Sequence, residues 1–348
     1  MTDKTCPGRF FEDFALGETI RHATPRTLGE GDRAVVAALY PHRFALHCSD
    51  PFAQACGYPR SPFDEMTVFH VVFGKSVPDV SRNAIANLGY ADCRFLRPVY
   101  PGDTLSADSE VIGLRQNASG KTGVVYVRTV GRNQDGLPVL SYIRWVMLRT
   151  RRPDSPAPKE MLPRLPPIGP HELPRPENFH LDGYDGERAG SPHRWADYAV
   201  GERIDHVDGV TIEEAEHMLA TRLWQNTARV HFDAGLAAEG RFGRRIVYGG
   251  HIMSLARALT FNGLANAQWM AGINAGAHCA PCFAGDTVHA WSEVLDSAPL
   301  DGIGLGALRL RTVAVKNRPA AGFPRLGEDG KPADGVVLDL DWWALLPR

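Results

Sequence analysis

The chain has 348 residues, 44% apolar and 22% charged, with a net charge of −2. That balance supplies core for two domains and excludes a disordered chain, a general nucleic-acid binder and a membrane-surface binder. No apolar run approaches the roughly 20 residues of a membrane span, and "MTDKTCPGRFFEDF" lacks a signal peptide's apolar core, so a cytoplasmic location is expected.

In chain order, "FEDFALGETIRH" (11–22) precedes "TLGEGD" (27–32), where Thr27 stands in an N-cap position and predicts a short helix. "HRFALHCSD" (42–50) carries His42 and His47. Met66, Phe69, Phe73 and Val77 then predict a longer helix with one buried face. The β-branched runs 103–116, 120–134 and 138–150, separated by "NASG" and "QDG", predict antiparallel strands. Residues 151–180 hold nine of the chain's 26 prolines, so 151–192 is expected to be an extended connector.

After the connector the pattern is written again. "WADYAVGERIDH" (195–206) matches residues 11–22 at an offset of 184, and "TIEEAE" (211–216) matches 27–32. "FAGDTVHAWSEV" (283–294) matches "YPGDTLSADSEV" (100–111) at 183, and "LRTV" (310–313) matches "VRTV" (127–130). The second long helix carries Ile252, Leu255, Ala256 and Leu259 at i, i+3, i+4 and i+7. Matched blocks in one order at a near-constant offset indicate duplication. The expected units are 1–150 and 193–348, each an α+β layer of helix on antiparallel sheet.

Several side chains have plain structural readings. His22, His206 and His70 read as hydrogen-bonded residues of the fold, and Asp103 and Asp286 as turn formers. Cys279 and Cys282 form C-x-x-C, but no second ligand pair accompanies them, so packed thiols are expected and no metal site.

The motifs "FEDFALGETI", "RRIVYGGHIMSLA" and "FAGDTV" together resemble the MaoC-type enoyl-CoA hydratases, once per half. "ANLGYADCRFLRPVYPGDTL" and "WQNTARVHFD" are similar to the mesaconyl-CoA hydratase (β-methylmalyl-CoA dehydratase) branch. The resemblance implies a double hot-dog fold and a hydro-lyase acting on a short branched enoyl-CoA, β-methylmalyl-CoA and mesaconyl-CoA being the favoured pair. It also implies a homo-oligomer, with a dimer favoured, and no cofactor beyond the CoA of the substrate.

The family pattern Asp-x-Asn-Pro-x-His carries over to His231, with Asn226 at the Asp position and Arg229 at the Pro position. An amide oxygen cannot take a proton at neutral pH, so Asn226 is expected to orient water while His231 acts as acid and base. Gly249 is the expected oxyanion donor, where a bare N–H meets the positive end of a helix. Tyr248, Gly250 and His251 beside it are expected to contact substrate.

In the first half the pattern falls on His42 and His47, and Asp64 aligns against Gly249. A carboxylate there repels an oxyanion, so this half is expected to lack a hole of its own. Asp64 or Glu65 is expected to reach across to His231 and replace the missing carboxylate. Arg241, Arg244 and Arg245, with Arg60 as first-half counterpart, are expected to hold CoA phosphates or a substrate carboxylate. The alternatives are a hot-dog thioesterase or a non-catalytic acyl-CoA-binding module.

Overall fold

The protein was analysed as a computed structural model that describes residues 4–152 and 158–348. Residues 1–3, and residues 153–157 inside the expected connector, lie outside the described residues. The first repeat forms β1 (Thr19–Thr27), β2 (Ala84–Phe95), β3 (Thr104–Gln116), β4 (Thr122–Arg132) and β5 (Pro138–Arg149). The second forms β6 (Arg203–Thr211), β7 (Trp269–His278), β8 (Thr287–Leu300), β9 (Leu305–Lys316) and β10 (Val336–Pro347). All pairings are antiparallel in one sheet of order β1-β3-β4-β5-β2-β7-β10-β9-β8-β6. The strand pattern of each repeat is therefore reproduced, and β2 and β7 join the halves edge to edge from Tyr90–Gly276 to Arg94–Gly272. This is the double hot-dog arrangement.

Two central helices, Glu65–Ser76 and Gly249–Leu259, lie on the sheet. The apolar spacing predicts one buried face, but Met66 to Ser76 and Gly250 to Leu259 are buried on every side. Each helix packs on its own half-sheet and also on its twin. His70 Nε2 lies 2.7 Å from Ser254 Oγ, and these two residues are equivalent at the 184-residue offset.

The duplication extends to buried polar groups. His22 Nε2 contacts Ser109 Oγ at 2.7 Å, and Ser109 contacts Thr129. His206, Ser292 and Thr312 repeat the chain at 2.7 and 2.8 Å. These histidines satisfy strand hydroxyls in a dry interior, where an unpaired hydroxyl is costly. Asp103 and Asp286 accept from the amides of Tyr100 and Phe283, as turn formers do.

Thr27 and Thr211 are not N-caps. They end β1 and β6, and their hydroxyls pair with Thr104 and Thr287, so strand pairing takes the oxygens that capping requires. The caps are Gly29 and Glu213. The connector also departs from a free spacer. Its Ile168 accepts from Trp343 Nε1 and donates to Asn274 Oδ1, while Phe179 sets its ring edge-on to Trp269 at 4.5 Å. Apolar residues among the prolines strap it to the second half-sheet. Among the described residues, no helix is long and apolar enough to cross a membrane.

Candidate active site

His231 ends a short 3₁₀ turn, Arg229–His231, just before the loop to the second central helix. Its Nδ1 lies 2.9 Å from the carbonyl oxygen of Ile246. A carbonyl only accepts, so Nδ1 carries the proton and Nε2 presents a lone pair. The ring is partly reached by solvent yet enclosed by protein on most sides. Burial pulls its pKa down to about 4, against the opposing Ile246 hydrogen bond and with a further push from His217. At neutral pH it is an uncharged base with a defined tautomer. Asn226 is buried, and its Oδ1 accepts from the Ala228 amide at 2.9 Å, which leaves the NH2 group for water.

The second central helix begins at Gly249, after Tyr248. Among the described residues, the amides of Gly249 and Gly250 donate to no protein group, and the helix dipole adds partial positive charge there. Tyr248 sets its ring edge-on to His231 with centroids 5.7 Å apart, which ties the base to the helix tip. A Cβ on Gly249 would stand 2.6 Å from the His278 ring, and one on Gly250 2.5 Å from the Tyr248 ring. Both positions therefore require glycine.

His278 is a member of this cluster that the sequence did not reveal. It ends β7 and packs over Gly249, and its Nε2 lies 3.2 Å from the hydroxyl of Tyr90. Burial and then His231 hold its pKa at about 4. Tyr90 belongs to the first half and reaches His278 only because β2 and β7 are neighbours. His251 is 1% exposed, with Nδ1 3.1 Å from the Tyr40 hydroxyl.

The first half takes a different form. The helix starts place Asp64 opposite Tyr248, and Glu65, the first helical residue, opposite Gly249, one position from the expected alignment. Asp64 is the N-cap, accepting from the amide and hydroxyl of Thr67. Burial raises its pKa, but the attraction of His42 and His47 and the Thr67 bonds outweigh that, and the net shift is downward. Glu65 stands 3.6 Å from His47 Nε2. Its pKa is raised by burial, which His47 and Arg257 only partly offset.

Among the described residues no hydrogen bond or ion pair joins Asp64 or Glu65 to His231: Asp64 caps its own helix, and Glu65 lies beside His47 and feels Arg257 of the second half. His47 sets its ring nitrogens toward the carbonyls of Pro62, at 3.3 Å, and Gln268, at 2.9 Å. No lone pair of that ring faces open space. The first half sets a carboxylate beside an imidazole, with Glu65 lining a cavity of about 570 Å³, where the second holds a bare amide and a free base.

The arginines lie apart from this cluster. Arg245 pairs with Glu214 and donates to the carbonyl of Phe232, while Arg244 stacks on Phe283 at 3.9 Å. Both line a surface cleft of about 510 Å³ with Gly243 and Ala284. Arg241 rests over Phe242 at 5.1 Å. Arg60 bridges Glu30 and the Pro101 carbonyl on the first-half surface, so it takes no part in the second-half cluster. The six cysteines are free thiols, and no cluster of three or more metal-ligating side chains occurs among the described residues.

This geometry has close relatives. The profile of the family described as mesaconyl-CoA hydratase matches residues 2–321. The chain belongs to the mesaconyl-CoA hydratase family. A mesaconyl-CoA hydratase of Cereibacter sphaeroides is 61% identical, covering 99% of this chain and all of that protein. A β-methylmalyl-CoA dehydratase of Chloroflexus aurantiacus is 60% identical, covering 100% and 99% of the two chains. The crystal structure of a MaoC domain dehydratase from Chloroflexus aurantiacus superposes with a TM-score of 0.97 at 60% identity, over 100% of this chain and 99% of that one. A Mycobacterium tuberculosis protein with a double hot-dog fold reaches 0.77 at 26% identity, over 97% and 98%. As a family member, the chain shares the hydro-lyase scaffold of these proteins over its whole length.

Proposed function

We propose that the protein is a hydro-lyase that interconverts β-methylmalyl-CoA with mesaconyl-CoA and water. The observation that carries this reading is the neutral His231, its Nδ1 committed to Ile246 and its Nε2 free, beside the unengaged amide of Gly249. In the hydration direction Nε2 takes a proton from water and the oxygen attacks the β-carbon. Negative charge then passes to the thioester oxygen, where the Gly249 N–H and the helix dipole hold it. The resulting imidazolium returns a proton to the α-carbon. Asn226 orients the water through its NH2 group, with no carboxylate in the base's role.

The second half is the catalytic unit and the first the supporting one. Addition of water transfers no electrons, so the reading needs no redox cofactor, and CoA arrives with the substrate. Arg244 and Arg245 in their surface cleft suit its phosphates. The reading includes a cytoplasmic homo-oligomer, a dimer first, with no nucleic acid or membrane partner, and light scattering in solution measures that assembly. A thioesterase needs a carboxylate to drive water at the carbonyl, and Asp64 and Glu65 are held in the other half.

The test is loss of the enoyl-thioester absorbance with a panel of branched and straight enoyl-CoAs. Mesaconyl-CoA is expected to be the best substrate. Turnover confined to straight medium chains would remove the substrate assignment, and thiol release without hydration would remove the reaction.

A further inference from the structure

Three side chains of the second half carry buried polar atoms that make no hydrogen bond among the described residues. His217, on the helix Glu214–Leu223, is 0% exposed, and neither ring nitrogen makes a hydrogen bond. Its Nε2 passes 3.4 Å from Glu214 Oε1 without hydrogen-bond geometry, and Glu214 is already paired with Arg245. His251 is 1% exposed and leaves Nε2 unpaired, and the hydroxyl of Thr227, next to Asn226, is buried and unpaired as well. Unsatisfied groups of this kind are destabilising unless a ligand completes them. The helix Glu214–Leu223, which carries His217, packs against the helix Gly249–Leu259, which carries His251, and His217 acts electrostatically on both His231 and His251.

The chemistry of the proposed substrate says what belongs there. In β-methylmalyl-CoA the carbon that bears the hydroxyl also bears the free carboxylate. When water adds opposite His231 Nε2, that carboxylate lies one bond from the attacked carbon, deep in the site. The arginines of the surface cleft already have partners: Arg245 pairs with Glu214 and Arg244 stacks on Phe283. The buried Arg257 is held by Thr260 and the Ala267 carbonyl.

We propose that His217 and the Nε2 of His251 receive the substrate's free carboxylate, with the Thr227 hydroxyl as a further donor, and select dicarboxylyl over plain branched acyl thioesters. This rests on the hydratase reading above. Imidazole N–H donors hold a carboxylate by directed hydrogen bonds, and a ligand lacking that group leaves them unpaired. The selectivity therefore lies in the second half's own helices and not in the arginine-lined cleft.

Calorimetric binding of two saturated analogues tests it: 2-methylsuccinyl-1-CoA, which carries the carboxylate, and 2-methylbutanoyl-CoA, which carries a methyl in its place. His217→Leu is expected to weaken the first by about 10- to 100-fold and the second by less than about 3-fold, with His217→Gln recovering part of the loss. Equal weakening of both, or of neither, would overturn the proposal. A crystal structure of the wild-type protein with 2-methylsuccinyl-1-CoA decides the matter whatever the variants' folding. A carboxylate seated on His217 and His251 supports the pocket, and one seated on Arg244 or Arg245 overturns it. Selective binding by a protein that hydrates no mesaconyl-CoA would uphold the pocket and remove only the functional reading.

Discussion

At the scale of the residue, the proposed chemistry depends on which nitrogen of His231 keeps its proton. The Ile246 carbonyl fixes that choice, and burial keeps the ring neutral. Replacing it, as in His231→Gln, is expected to lower kcat by about 10²- to 10⁴-fold with a smaller change in KM, measured by steady-state hydration. The pH dependence follows from the sign of the shift. A base with pKa about 4 is still deprotonated at pH 5, so kcat/KM for hydration stays level down to there and falls about tenfold per unit below pH 4. A limb centred near pH 6.5 would contradict the assignment of His231 as base. Gly249→Ala is expected to cost at least tenfold in kcat and to lower Tm, because the new Cβ meets the His278 ring at 2.6 Å.

At the scale of the element, two helix starts of common origin do opposite things. The second presents glycine amides, and the first fills the equivalent place with Glu65 and closes it on His47. His47→Gln is therefore expected to leave kcat within about threefold while lowering the thermal midpoint, since it loses the ring's buried contacts with the carbonyls of Pro62 and Gln268. A loss comparable with that of His231→Gln would show that the first half also performs chemistry. The difference between the copies is one of charge at a helix tip. An anionic side chain suits the dipole of a resting helix, whereas an unoccupied amide suits a developing oxyanion.

At the scale of the whole molecule, the β2–β7 seam carries the first half into the site. Tyr90 crosses it to His278, so Tyr90→Phe is expected to reduce kcat/KM several-fold and to cost about 1 kcal/mol of stability, read from denaturant unfolding. The two halves also enclose several ionisable rings. His42, His206, His231 and His278 have pKa values pulled by burial to about 4, and His70 and His251 to about 3. The unfolded chain binds protons at these histidines from about pH 6.5 downward, while the folded one does not. Stability is therefore complete above pH 6.5 and is lost progressively as pH falls toward 4, each ring adding at most about 1.4 kcal/mol per pH unit. Melting curves across that range are expected to show a steep decline, and a flat Tm would mean the rings are hydrated.

Much of this was legible in the residues themselves. The repeat at 184, the strand runs and the long apolar helices depend on local pattern, which linear order preserves. His231, Asn226 and Gly249 could be proposed from the sequence because the motif that names them runs along one stretch of chain. Their equivalence to Glu65 and His47 was visible only to within one residue, because no local signal sets the register of a helix start. Tertiary structure alone decided that Asp64 caps its own helix and Glu65 lies beside His47, that Tyr90 and His278 meet, and that ring nitrogens of His217 and His251 are left without hydrogen bonds. Those outcomes depend on which edges of two half-sheets come together. That pairing brings residues nearly 190 positions apart into contact, and no periodicity in the chain encodes it.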